Sequence, residues 1–338
     1  SLQEEGIELY FGIDGNGLSA QSLYLGNNET LIYWEDRRLG VIADLTYGQK
    51  VYDGWQDVVE PNGIKLCNNP YQVTPKAELG NLSGDILLGF GQAFGDIALH
   101  YQPLNNNLEM IGNTNEGIPV FESFTPQNNY DLAINSIGDV YFVFSDQRNF
   151  IDSDIYLQKY SGFSNSFSEP LLIVDNFFID DNVKFIETTS DDGCLIAYDS
   201  GDFSGTRAYL QALDSNGNIL PAFSGGIRLS TNESDQFIKG LLKTDSGYFI
   251  LWKDQRSGSS DLYAQMVSFD GTILGPQDGF AITTAQNDQQ DPTLTYNEVL
   301  NEIMVCWEDF RDGDDFDIYC VTVNEETLVV SDEIDLCT

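Results

Sequence analysis

Short apolar runs separated by polar turns recur along the whole chain. In one copy, runs near 237–243 and 248–252 flank a polar turn at 244–247, a third run begins at Asp261, and a fourth lies near 279–283. Turns rich in Asp, Asn and Gly between apolar runs of this length are typical of antiparallel hairpins. No segment of eleven or more residues has an apolar period of 3.6, so almost no helix is predicted.

An aromatic residue closes the second run of each copy, and these anchors are 54 to 56 residues apart. The anchors are Trp34, Phe90, Phe144, Tyr198, Trp252 and Trp307. Six copies of a four-strand unit at this period predict an all-β fold, a six-bladed β-propeller of four-stranded antiparallel blades, whose edges are protected by radial closure. We expect one domain over residues 1–338, with an N-terminal strap strand at 1–18 and blades at about 19–70, 71–124, 125–176, 177–231, 232–286 and 287–338.

Four copies read aromatic-x-Asp-x-Arg and then open the third strand with Asp. The predicted charge pairs are Arg38 with Asp44, Arg148 with Asp154, Arg256 with Asp261, and Arg311 with Asp317. In the fourth copy the charges are exchanged, with Asp202 and Arg207 at the two positions, which predicts an ion pair across the hairpin. The alternative is that the motif binds a ligand through Asp36, Arg38, Asp146, Arg148, Asp254, Arg256, Asp309 and Arg311.

The consensus Trp-x-Asp-x-Arg, Asp-Ile-Tyr-x-Gln and Asp-x-x-Gly resembles the repeats of large secreted bacterial surface proteins with β-propellers, over about residues 20–338. That resemblance implies a propeller fold and export rather than a particular activity. Sialidases are also six-bladed, but their Ser-x-Asp-x-Gly-x-Thr-Trp box is missing: the nearest stretch, 190–194, lacks the Thr-Trp. A more distant glycosidase stays open.

The charge balance is strongly acidic, with 15 Lys+Arg against 54 Asp+Glu and a formal net charge of −39. Such a field repels nucleic acid and anionic membrane surfaces and attracts cations and basic partners. No apolar run reaches 18 residues, so no membrane insertion is expected. The first five residues do not form a signal peptide, and we expect the processed form of an exported protein.

Five cysteines suggest disulfides rather than a zinc site, because they are irregularly spaced and contain no Cys-x-x-Cys. Cys306 and Cys320 are placed symmetrically about one hairpin loop, and Cys67 and Cys337 fall in equivalent strands of the first and last copies. Either bridge implies an oxidising compartment, which favours an extracellular or cell-surface location.

Candidate chemistry is sparse. The lone histidine, His100, lies in a third strand, and no Gly-x-Ser-x-Gly elbow, phosphate loop or His-Glu-x-x-His accompanies it, so no catalytic residue is assigned. The loop 312–317 is the best metal candidate, with Asp312, Asp314 and Asp317 as calcium ligands. The alternative is an acidic hairpin tip in which Asp317 pairs with Arg311.

The first functional hypothesis is a non-catalytic, secreted or cell-surface binding or structural module. Its ligand, a glycan or a protein segment of basic character, would lie on the face that carries the loops between second and third strands. The alternative hypothesis is a glycan-active hydrolase or lyase that uses carboxylates on that face. Buried acids with shifted pKa values beside a pocket would favour the enzyme.

Overall fold

The apolar runs form β-strands. The second strand is almost wholly buried in the third, fourth and fifth repeats, and in the sixth it alternates between buried and more exposed positions. The structure, a computed structural model, describes residues 17–37, 45–52, 63–68, 72–80, 85–92, 98–112, 117–121, 125, 127–161, 164, 166–176 and 179–337. Within those ranges the chain is all-β, with six antiparallel sheets arranged as a six-bladed β-propeller and one short 3-10 turn at Pro221–Phe223. The predicted fold class is confirmed.

The strands of each sheet follow one another in chain order. The chain forms two compact units. The first unit comprises residues 1–148 and 157–170, and the second comprises 149–156 and 171–338. Sheet 1 contains β1 (Gly17–Gly26), β2 (Glu29–Asp36), β3 (Leu45–Tyr52) and β4 (Ile64–Lys65). Sheet 2 contains β5 (Gln72–Leu79), β6 (Ile86–Gln92), β7 (Ala98–Leu104) and β8 (Ile118–Pro119).

The remaining sheets repeat that pattern. Sheet 3 contains β9 (Gln127–Ile134), β10 (Val140–Asp146), β11 (Asp154–Ser161) and β12 (Ser166–Phe167), and β13 (Leu171–Val174) pairs with β11. Sheet 4 contains β14 (Asp180–Thr188), β15 (Cys194–Asp202), β16 (Gly205–Leu213) and β17 (Ile227–Arg228). Sheet 5 contains β18 (Gln236–Lys243), β19 (Gly247–Asp254), β20 (Asp261–Ser268) and β21 (Phe280–Thr283). Sheet 6 contains β22 (Gln289–Asn297), β23 (Glu302–Asp309), β24 (Asp317–Asn324) and β25 (Ile334–Cys337).

The core consists of apolar layers between successive sheets. In the second unit one layer joins sheets 4 and 5 around Trp252, and another joins sheets 5 and 6 around Trp307. In the first unit an equivalent layer joins sheets 1 and 2 around Phe90. Each of these three anchors is at most 1% exposed, and full burial of one large apolar side chain contributes roughly 1.5–3 kcal/mol.

The anchors of sheets 2, 5 and 6 stack on an aromatic ring at the third position of the third strand. Trp252 lies opposite Tyr263 with ring centroids 6.4 Å apart, and Trp307 lies opposite Tyr319 at the same distance. In sheet 2 this position belongs to His100, which stacks on Phe90 at 5.8 Å. The lone histidine therefore occupies a packing position of the repeat.

A glycine precedes the fourth strand of four sheets because the anchor ring leaves no room for a side chain. Gly279 has φ +76°, and a Cβ there would overlap the ring of Trp252; the same holds for Gly63, Gly117 and Gly226 against their anchors. Only glycine combines this backbone conformation with so close an approach.

Cys306 and Cys320 lie directly opposite each other in β23 and β24 and form a disulfide, which confirms the first predicted bridge. The side chain of Cys337 and most of the predicted strap at 1–18 lie outside the described residues. The predicted Cys67–Cys337 bridge and the strap strand therefore stay predictions.

Over the described part of the chain, no helix is long and apolar enough to cross a membrane.

Candidate functional site

In the Trp-x-Asp-x-Arg motif, the Asp carboxylate accepts hydrogen bonds from the Trp and the Arg of the same motif. In sheet 5, Asp254 accepts hydrogen bonds from Trp252 Nε1 at 2.9 Å and from Arg256 Nε and Nη2 at 2.9 and 2.6 Å. In sheet 6, Asp309 accepts equivalent bonds from its own Trp and Arg at 2.8 and 2.7 Å. The pairs Trp34–Asp36 and Arg148–Asp146 repeat parts of this arrangement in the first unit at 3.0 and 2.7 Å.

The predicted partners of Arg256 and Arg311 were wrong. Arg256 pairs with Asp254, two residues before it, and lies over the ring of Tyr263 at 3.8 Å, while among the described residues Asp261 forms no ion pair. Arg311 pairs with Asp309 and Glu333 instead of Asp317. In both sheets the guanidinium lies over the tyrosine ring of the third strand and pairs with the carboxylate two residues before it.

The exchanged charges of the fourth copy also find other partners. Arg207 pairs with Glu233 at 3.0 Å and Asp235 at 3.7 Å, whereas Asp202 accepts hydrogen bonds from Ser204. Asp202 and Arg207 therefore do not form the ion pair across the hairpin that their exchanged charges predicted, and that inference was wrong.

Burial limits what the motif offers to a ligand. Asp36, Asp146, Asp254 and Asp309 are at most 1% exposed, and the arginines are partly exposed. Burial alone would raise the pKa of Asp254 and Asp309, but the bonds from Arg and Trp outweigh it and hold both below 3.8. These contacts account for the motif as a structural bridge. A ligand-binding role stays a prediction, and Arg38 and Asp44 lie outside the described residues.

The acidic loop of sheet 6 does not assemble as a metal cage. Asp312 and Asp314 are exposed, Asp317 is buried, and among the described residues no group of three His, Cys, Asp or Glu could hold a metal ion. Desolvation, and then the charges of Asp315 and Asp312, raise the pKa of Asp317. The calcium site stays a prediction.

A different feature recurs in all six first strands: a β-bulge opposite the aromatic anchor. The extra residues are 19–20, 74–75, Asn129, Lys184, Lys239 and 291–292. Thr74, Asn129 and Asp291 have φ of 47°, 46° and 44° there, which is uncommon for residues other than glycine. Bulges redirect a side chain out of the sheet register and are frequent beside active sites.

In the second unit two successive bulges border a cavity of about 370 Å³, which we call the lysine cavity. Its wall consists of Lys184, Phe185, Asp199, Phe237, Ile238, Lys239 and Lys253. Asp199 and Lys253 lie in the later halves of β15 and β19, towards the loops between second and third strands. The sequence analysis expected a ligand at those loops, and that expectation stays a prediction.

Asp199 is the acid of this cavity. It is 3% exposed, its Oδ1 accepts the backbone N–H of Ile238 at 2.9 Å, and its Oδ2 faces Lys184 Nζ at 3.4 Å. Burial raises the pKa of Asp199 to about 6, although Lys184 and the Ile238 amide act in the opposite direction. A carboxyl group with a pKa near neutrality on a cavity wall can donate or accept a proton at ordinary pH.

Sequence reasoning missed these residues. Lys184 and Lys239 stand 14 and 13 positions before their anchors, in a chain with only eight lysines. The position directly after the anchor is acidic in sheets 1, 4 and 6, as Glu35, Asp199 and Glu308. An alignment of the six copies on their anchors would have shown both features, but the bulge that redirects the lysines is visible only in the strand register.

No protein-family model and no curated protein matches the chain. Solved structures do match over nearly its whole length. One is a protein of unknown function from Dyadobacter fermentans DSM 18053, with TM-score 0.62 and 10% identity over 90% of this chain and 93% of that one. Another is a PL25 ulvan lyase bound to -[GlcA(1-4)Rha3S]-, with TM-score 0.59 and 11% identity over 94% and 80%. A third is the GH93 α-L-arabinofuranosidase of Fusarium graminearum with arabinobiose, with TM-score 0.58 and 11% identity over 92% and 94%.

At this identity the likeness establishes the fold. It also corrects the first functional hypothesis. A non-catalytic binding or structural module was the wrong choice, because matching structures with a stated activity include a polysaccharide lyase and a glycoside hydrolase. The alternative hypothesis, a glycan-active enzyme, agrees better with these findings.

Proposed function

We propose that the protein is a glycan-active enzyme, a hydrolase or lyase, which acts at the lysine cavity with Asp199 as its acid–base group. The observation that carries this proposal is the environment of Asp199: a buried carboxyl group, pKa raised to about 6, on the wall of a cavity of about 370 Å³. Solved propellers of the same fold that cleave glycans support it.

The cavity has the size and lining that a sugar needs. Ligand pockets commonly enclose about 300–1,000 Å³ and combine apolar walls with a few convergent polar groups. Phe185 and Phe237 supply apolar surface for the C–H face of a sugar ring, and the three lysines and Asp199 supply hydrogen-bonding and charged groups. A positioned acid or base contributes about 10²–10⁴-fold to the rate of bond cleavage.

The proposed setting is outside the cell. The Cys306–Cys320 disulfide is typical of proteins folded in an oxidising compartment. The overall charge of −39 is suited to a soluble enzyme that does not adhere to nucleic acid or to anionic membranes.

The test is an activity screen on neutral, uronate-containing and sulfated polysaccharides. New reducing ends measure cleavage of either kind, and ultraviolet absorbance of an unsaturated product distinguishes elimination from hydrolysis. Asp199→Asn keeps an oxygen to accept the Ile238 amide but cannot exchange a proton, so cleavage should fall by about 100-fold or more.

Glu35→Gln is the matched control. Glu35 is the residue after the anchor in sheet 1 and accepts the Thr74 amide at 2.7 Å, as Asp199 accepts the Ile238 amide. It belongs to the first unit and does not line the lysine cavity. Equal losses in both variants would mean that Asp199 only closes a bulge, and the proposed role would be abandoned.

A further inference from the structure

We infer that the lysine cavity binds an anionic sugar unit, whose carboxylate or sulfate group is held by Lys239 and Lys253. This inference rests on the proposed function and names its substrate class. It concerns one local surface whose charge is opposite to that of the chain as a whole.

The charge distribution is the first argument. The chain has 54 acidic and 15 basic side chains, yet three of its eight lysines meet at this cavity beside a single lining carboxylate. A neutral sugar gives no reason to gather ammonium groups on a strongly acidic protein, since hydroxyl groups are bound well by neutral or acidic side chains. An anionic group brought into the cavity would be balanced by them.

The two bulges are the second argument. Lys184 and Lys239 are the inserted residues of equivalent bulges in sheets 4 and 5, and each stands opposite the anchor region of its own β15 or β19. The first strands of these sheets are neighbours, so the same distortion presents both ammonium groups to the same cavity. In the other four sheets the bulge residues are not lysines.

The existing partners of the lysines are the third argument. Lys184 is engaged with buried Asp199 at 3.4 Å. Lys239 is only loosely paired with Asp291, at 3.7 Å to a carboxylate that is 66% exposed. Lys253 forms no ion pair with a described residue and lies 5.6 Å from the Phe237 ring centroid. Lys239 and Lys253 are therefore the two cations available to an incoming anion.

Equilibrium binding to defined polymers tests the inference. The probes are a polyuronate, a sulfated galactan without uronate, and a neutral arabinan, measured by calorimetry on the full chain. We expect an anionic polymer to bind more tightly than arabinan. Lys239→Met and Lys253→Met should each weaken that binding by about 10-fold or more, because each removes a charge-assisted hydrogen bond. The two anionic polymers decide whether the carboxylate or the sulfate is the recognised group.

Lys243→Met is the matched control. Lys243 is on β18 with Lys239, its Nζ donates to Thr188 O at 3.0 Å, and it does not line the cavity. It causes the same change in net charge, so its binding should equal that of the unchanged protein. Melting temperatures establish that all three variants are folded. An equal loss in Lys243→Met, or preferential binding of arabinan, overturns the inference.

The two proposals fail separately. If the protein cleaves a neutral glycan and cleavage depends on Asp199 but not on Lys239 or Lys253, the enzyme proposal is supported and the anionic substrate is overturned. If a polyuronate or a sulfated polymer binds through the lysines but is not cleaved, the anionic ligand is supported and the proposed enzyme activity is overturned.

Discussion

Two buried aspartates of the second unit, Asp254 and Asp199, have opposite properties although each faces a cation. Asp254 is surrounded by donors from Trp252, Ser234 and Arg256, and its pKa is held below 3.8. Asp199 has one backbone amide at 2.9 Å and one lysine at 3.4 Å, and burial raises its pKa to about 6.

The difference shows that the number and geometry of donors decide the state of a buried carboxyl group, more than the presence of a counter-charge. Arginine presents several N–H groups in a rigid fork, and in sheet 5 two of them reach the same carboxylate. Lysine presents a point charge on a flexible stem and does not compensate the lost hydration of Asp199. One carboxylate is fixed as an anion, and the other is left able to exchange a proton.

The largest stability effect is expected from Asp254→Asn. The substitution leaves Arg256 without its anion in a mostly buried position, and breaking such a pair costs about 3 kcal/mol or more. The free energy of unfolding by urea at neutral pH measures it, with exposed Asp245→Asn in the same sheet as the control. A loss below about 1 kcal/mol would contradict the structural role given to the motif.

Asp199→Asn is expected to change stability in the other direction. The folded pKa of about 6 exceeds the ordinary 3.8, so the folded state holds a proton that the unfolded state has lost between about pH 4 and 6. The contribution of Asp199 to the stability of the unchanged protein therefore falls as pH rises from about 4 to about 6 and is constant above the folded pKa. At about pH 8 the asparagine variant should be more stable by about 1–3 kcal/mol, and at about pH 4 the difference should vanish. The same difference in free energy of unfolding between the variant and the unchanged protein at both pH values would contradict this.

The smallest effect is expected from calcium on the acidic loop, where Asp317 forms no ion pair with an arginine or lysine that the structure describes. Desolvation, and then the charges of neighbouring carboxylates, raise the pKa of Asp317. A divalent cation should relieve the repulsion between these carboxylates and raise the melting temperature slightly over its value in EDTA. Asp314→Ala should abolish the rise. Identical melting temperatures in calcium and in EDTA would overturn the predicted metal site, and the loop would then be a solvated hairpin tip.

The repeat made most of the fold predictable. The spacing of 54 to 56 residues between anchors predicted the number of sheets, and the turn residues predicted the four strands that every sheet contains; sheet 3 adds a fifth, β13. Opposite placement of Cys306 and Cys320 followed from their symmetry about one loop. All of these features depend on residues close together in the sequence, and the anchor and turn signals recur in six copies.

The partners of the charged residues were not predictable in the same way. Arg256 has two carboxylates within five residues, Asp254 and Asp261, and spacing alone favoured the wrong one. Stacking of the guanidinium on Tyr263 decided between them. That contact depends on the register of β19 and β20, which the sequence does not state.

The sequence by itself determined the all-β repeat architecture and the acidic charge. Only the tertiary structure decided which carboxyl groups are neutralised by donors, and it alone brought Lys184, Lys239 and Lys253 to one cavity with Asp199. The physical reason is that strand periodicity is a property of neighbouring residues, whereas a pKa depends on burial and on donors that arrive from other strands.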